Sequence, residues 1–213
     1  MKAHAALPDP RLTTLNELDK FHFTMLRRWM LFVDGENLTI RGQEFASRNS
    51  LALKAGNYWK KDCFLWMPNP RPLKRPSCSS GEIEVIEPDG IRGYYYTSFV
   101  GDYPEIDQAE ISLRKIGFAP KVFKKVDKNK KSKGVDIALT TDMLTHAFQN
   151  HFDVAILVGG DADYCPLVNR VKSLGKQVWV WFFSKPEDGL SPALWKSSDV
   201  FIQLDSLFTT EWP

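Results

Sequence analysis

Short, densely apolar runs punctuate this chain, and most are followed by stretches in which apolar residues recur every three or four positions. Five runs have strand character: residues 30–33, 94–100, 121–126, 153–158 and 177–183. They are rich in Val, Ile and aromatic side chains, which suit a pleated, half-buried surface. The last two, DVAILV and QVWVWFF, are apolar on successive residues, as strands covered on both faces are. Helical spacing lies between the runs. Residues 104–116 open on Pro104 and close at Gly117; residues 135–148 place apolar side chains at 135, 139, 143, 144, 147 and 148; residues 166–174 end at Gly175. A short helix over 192–196 precedes a possible edge strand at 200–204. Alternation of this kind predicts an α/β domain, its mostly parallel sheet carrying helices on both faces.

Two regions break the alternation. Residues 1–28 form an N-terminal extension, helical around 15–28, ahead of a domain spanning 29–213. Within that domain an insertion occupies about 56–93, and its middle, 67–81, is rich in Pro, Ser and basic residues, a surface composition.

Composition narrows the class without naming the chemistry. The 213 residues are 43% hydrophobic and 25% charged, ordinary for a soluble globular protein, and the formal charge of +2 is too small to point to a partner by itself. Cys63, Cys78 and Cys165 are far apart and odd in number, which suits a reducing compartment and offers no zinc framework. The first residues lack an apolar leader, and the longest apolar stretches fall well short of the roughly 20 residues a membrane span needs. A cytoplasmic protein with no membrane partner is expected.

Charge distribution is more telling. Asp34 follows the first strand in FVDGEN; Asp161 and Asp163 follow the fourth in VGGDAD; Asp136 starts the helix after the third. Open α/β sheets bind ligands beyond the carboxyl ends of their strands, where strand order reverses. An order of 3-2-1-4-5 puts strands one and four side by side at that point, so Asp34 and Asp161 face one another and Asp136 reaches the same edge. Carboxylates so crowded repel unless protonated or shared with a cation. Mg²⁺ or Mn²⁺, which take hard oxygen ligands, suit such a set and suit phosphodiester hydrolysis. The bland alternative is that each Asp merely caps a helix, and it weighs most on Asp163. Asp142 lies about 240° around the helix from Asp136 and is expected to serve structure instead.

The segments FVDGEN, KGVDIALTTDML and ILVGGDADYCPLVNRVKSLGKQVWV, with the closing DVFIQL, together resemble the NYN domain, a PIN-like nuclease fold of the LabA-like bacterial type. The resemblance runs in order over roughly residues 29–205. It implies a Rossmann-like sheet and a metal-dependent ribonuclease, with Asp34, Asp136 and Asp161 as metal ligands and catalytic residues and Asp163 adjoining them. It also implies that Asn37 sits beside the site, holding a water or phosphate oxygen. The insertion is larger than the family's minimal pattern.

A lysine-dense stretch leads into this constellation: Lys121, Lys124, Lys125, Lys128, Lys130, Lys131 and Lys133. Cations beside an acidic site are what an RNA backbone requires, so Lys125, Lys128, Lys130, Lys131 and Lys133 are candidate substrate contacts; the plain alternative is a solvated loop. Trp179 and Trp181 read as core, Trp59 and Trp66 as surface, and His146 and His151 as surface residues without a catalytic partner. A non-catalytic RNA- or protein-binding module with the same fold is the competing function. A phosphatase or other phosphotransfer enzyme is disfavoured, since no GxxxxGK[ST], GxGxxG or DxDx[TV] motif occurs.

Overall fold

The computed structural model describes residues 12–13, 28–51, 59–60, 65–66, 90–115, 117–125 and 133–205. The strands are β1 (Leu12–Thr13), β2 (Trp29–Asp34), β3 (Trp59–Lys60), β4 (Leu65–Trp66), β5 (Gly90–Phe99), β6 (Phe118–Lys124), β7 (Val154–Val158), β8 (Gln177–Phe182) and β9 (Val200–Gln203). The helices are α1 (Gly35–Arg48), α2 (Tyr103–Lys115), α3 (Lys133–Phe148), α4 (Cys165–Ser173) and α5 (Pro192–Ser197).

Seven strands form one sheet in the order β1-β9-β8-β7-β2-β5-β6, every neighbouring pair parallel. For the five runs anticipated from sequence this is the order 3-2-1-4-5, with β9 added beyond β8. The chain winds outward from β2 to β6, crosses back through α3 to β7, and winds outward the other way. The reversal lies between β2 and β7, where Val33 pairs with Val158.

Buried hydrogen-bonded strands explain the unbroken apolar runs. β7 is buried at all five positions, and Trp179 and Trp181 of β8 belong to the core as expected. On β5 the alternation of a strand sorts three tyrosines. Tyr94 and Tyr96 face α3, where they reach His146 and Asp142, while Tyr95 packs beside α1 against Gly35 and Phe118.

Some boundaries differ from expectation. The second strand begins at Gly90, inside the anticipated insertion, and pairs with β2 from its first residue. Within the insertion β3 and β4 pair antiparallel, Trp59 opposite Trp66, and β4 lies against α1. The strand at 200–203 is not the sheet edge: Leu12 and Thr13, from the extension, pair with Phe201 and Ile202. Residues 15–27 of the helix expected over 15–28 and the basic segment 67–81 lie outside the described residues, and Arg28 is not helical. Among the described residues no helix is long and apolar enough to cross a membrane.

Candidate metal centre at the strand reversal

Asp34 is the last residue of β2 and also the N-cap of α1, its Oδ1 accepting from Asn37 N at 2.9 Å. Its carboxylate is buried, and steric demands on both sides keep it so. A Cβ on Gly35 would lie 2.1 Å from the Tyr95 ring, and one on Gly160 would strike the Gly189 carbonyl and Phe182. The glycines of VDGEN and VGGDAD therefore let two loops close around Asp34.

The second Asp34 oxygen, Oδ2, accepts from the Tyr164 hydroxyl at 2.7 Å, and the same hydroxyl lies 3.1 Å from Asp136 Oδ1. Tyr164 ends the 3-10 turn Ala162–Tyr164 that follows β7; Asp136 stands in the first turn of α3. One phenol thus joins two carboxylates from distant parts of the chain. A hydroxyl carries one hydrogen, so it cannot satisfy both acceptors at full strength. Burial pushes the Asp34 carboxyl up to about 7, against the lowering effects of Asn37 N–H and the Tyr164 hydroxyl, with Asp136 and Glu36 adding repulsion. Burial also raises the Tyr164 phenol, which stays a donor. Removed from water and crowded by a second acid, Asp34 sits where its charged form is penalised.

Glu36 sits next to this pair but is compensated. Its Oε1 meets Lys125 Nζ at 2.6 Å and its Oε2 accepts from the Ser98 hydroxyl at 2.7 Å. The Lys125 side chain is only 5% exposed. Its sequence neighbours suggest a surface cation; the structure instead uses it to neutralise Glu36 and to fasten the end of β6 to α1. Lys128, Lys130 and Lys131 lie outside the described residues, and Lys133 opens α3.

Asp161 and Asp163 occupy the predicted edge with different engagements. Asp161 caps the 3-10 turn, Oδ1 accepting from Asp163 N at 3.1 Å, and Asp163 is exposed. Asn37 Oδ1 accepts from Gly160 N at 3.1 Å, so this side chain locks the first turn of α1 to the loop after β7. Asp142 is held away from the site, accepting from Tyr96 at 2.7 Å and from Lys121 at 2.6 Å. The residue missed in the sequence is Tyr164. A tyrosine between acidic residues and a helix carries no signal until the loop is folded.

Among the described residues no group of three or more His, Cys, Asp or Glu side chains stands close enough to cage a metal. The donor chemistry nevertheless fits a hard cation of the Mg²⁺ or Mn²⁺ type, which takes one or two carboxylates and completes its shell with water and substrate phosphate. Asp34 and Asp136 would supply those carboxylates.

The sequence profile of the NYN domain matches residues 28–205, the span holding all of these side chains. No curated protein matches the chain. A crystal structure of a protein of unknown function from Vibrio parahaemolyticus is similar in fold, with a TM-score of 0.55 and 20% identity over 84% of this chain and 93% of that one. With its reversal-point carboxylates inside the matched span and a PIN-like parallel sheet around them, this chain belongs to the NYN domain family.

Proposed function

We propose that the protein is a metal-dependent endoribonuclease that hydrolyses RNA phosphodiester bonds at the β2–β7 reversal. The observation that carries the reading is the Tyr164 hydroxyl shared between Asp34 and Asp136, with Asp34 buried and its carboxyl pushed up to about 7. Two acids so arranged cost stability in a merely structural role, and functional sites are where such arrangements concentrate.

Asp34 and Asp136 would hold Mg²⁺ or Mn²⁺, with Asp161 contributing through the carboxylate oxygen that does not cap the 3-10 turn. When bound, the ion supplies Lewis-acid polarisation of the phosphoryl oxygen and charge for the leaving oxygen. The protein's own groups do the rest. Tyr164 keeps Asp34 and Asp136 in register by holding its hydroxyl within hydrogen-bond distance of both. Asn37 fixes the spacing of the two loops. Asp163, exposed on the same edge, accepts a hydrogen bond from the attacking water and orients it. The Lys125–Glu36 pair removes a third negative charge from the path of the RNA. The lysines of 128–133 attract its backbone without reading sequence.

The test is cleavage of labelled RNA by purified protein with Mn²⁺, with chelator, and with Asp34→Asn. Cleavage is expected only with the metal and to fall at least 100-fold in the variant, on the order of one electrostatic catalytic contact. Equal cleavage by wild type and Asp34→Asn overturns the mechanism. A non-catalytic RNA-binding NYN module is the second reading, favoured by the use of Asp161 Oδ1 as a cap. It predicts salt-sensitive RNA binding with no metal-dependent product.

A further inference from the structure

β5 and β6 run on past the end of β2. Asp34 pairs with Tyr96, yet the β5–β6 ladder continues to the pair Phe99–Lys124. Three more residues at the rise of a strand make a lip about 10 Å tall beside the carboxylates, one to two strand spacings away. On this lip stands Tyr103, the first residue of α2, 69% exposed. Lys124 Nζ lies 4.6 Å from its ring centroid.

A tyrosine this open to water is not there for the core, whose aromatic positions on β5 are filled by Tyr94, Tyr95 and Tyr96. Two other features constrain what it can do. The capping box of α2, with Glu105 N on Asp102 Oδ1 and Asp102 N on Glu105 Oε2, both 3.2 Å, sets the backbone on which Tyr103 sits. The ammonium of Lys124 against the ring adds a cation–π contact and puts a positive charge beside the aromatic surface. A held aromatic ring with an adjacent cation is the pair of groups a nucleotide needs: a platform for its base and a charge for its phosphate. The strand lip also places the pair on the active edge, within reach of a strand a few nucleotides long whose scissile phosphate rests at Asp34.

We infer that Tyr103 and Lys124 form a nucleotide-stacking subsite, which takes an unpaired base, since bases inside a duplex are stacked on one another and cannot lie on the ring. This deepens the nuclease reading and rests on it for the position of the scissile bond. The subsite itself stands on exposure, the cation–π geometry and the strand register.

Binding in chelator separates it from catalysis. Fluorescence anisotropy with a short labelled oligouridylate and with a blunt RNA duplex of equal length should show preference for the single strand. Tyr103→Ala should weaken single-strand binding about tenfold, and Tyr103→Phe should restore it. Lys124→Ala should reduce the salt dependence by about one phosphate contact. Matching circular dichroism and melting temperatures show that the variants fold. Single-strand affinity unchanged in Tyr103→Ala, no binding by the wild type, or tighter binding of the duplex overturns the subsite. A wild type that binds through Tyr103 but releases no product with Mn²⁺ supports the subsite and defeats the nuclease reading instead. A wild type that cleaves while Tyr103→Ala binds unchanged does the reverse.

Discussion

The two ends of α3 put the same kind of chemistry to opposite use. At its first turn Asp136 shares the Tyr164 hydroxyl with Asp34. At its last turn His146 takes the Tyr94 hydroxyl at 2.9 Å on Nε2 and His151 Nδ1 at 2.8 Å on Nδ1. Each end couples a tyrosine to two ionisable groups of like kind, and in each the neutral form is favoured. Burial raises Asp34; burial and the neighbouring His151 lower His146. The difference is in completeness. The histidine chain closes on itself, because a neutral imidazole both donates and accepts. At the acidic end the single phenol hydrogen of Tyr164 faces two carboxyl groups, Asp34 and Asp136. The histidine end serves the fold, and the acidic end is the one at which a cation is proposed.

The comparison can be broken in several places. The largest expected stability effect is at the Lys125–Glu36 pair beside the acidic end. Lys125→Met leaves the half-buried Glu36 without its counter-charge and should cost about 3 kcal/mol in chemical denaturation. If Lys125 is instead a surface contact to RNA, stability will hardly move and RNA affinity will fall. Next, saturating Mn²⁺ should stabilise the wild type by about 2.7 kcal/mol at a hundredfold excess over its dissociation constant. It should leave Asp34→Asn almost unshifted in melting temperature; equal shifts in both proteins place the ion elsewhere.

Smaller effects follow from pH in metal-free protein. The folded pKa of Asp34 lies above its unfolded value of 3.8, so the fold binds the extra proton and loses stability as pH rises from about 4 to about 7. Asp34→Asn should therefore melt higher than wild type at pH 8 in chelator. A lower melting temperature there would mean the carboxylate already has its counter-charge within the protein. The smallest effect is at the other end. His146 is lowered below 6.5, so the fold binds fewer protons and loses stability as pH falls through that value. His146→Gln should flatten the acid side of the melting profile below about pH 6.5, while Asp34→Asn should unmask it. Asp142, Lys121 and Arg92 also act on His146, so the Gln variant isolates its own titration.

The surroundings of His146 also show where sequence reasoning falls short. Two histidines five positions apart do not share a helix face, and both read as surface residues. α3 ends between them, and the chain turns back through Asn150 at φ 59°, so the rings meet and His146 becomes half-buried. Lys125 fails for the opposite reason: a lysine in a run of lysines looks solvated, and only the end of β6 meeting α1 buries it. β1 is two residues long and pairs with a strand at the far end of the chain, too short and too remote for any periodicity to reveal.

What the amino-acid order determined by itself is local: which runs are strands, because side chains covered on both faces must be continuously apolar; where helices stop, because Gly117 and Gly175 tolerate the left-handed backbone; and that acids follow β2 and β7. Parallel connections then left few ways to wind the sheet, so the edge shared by those acids was legible as well. Tertiary structure alone decided what each acid does there. Asp34 and Asp136 were joined by a tyrosine from a third loop, Glu36 was neutralised by a buried lysine, and Asp161 was turned to its own backbone. Those outcomes depend on burial and on distances of a few ångströms between residues far apart in the chain, and electrostatic interactions change character over that range.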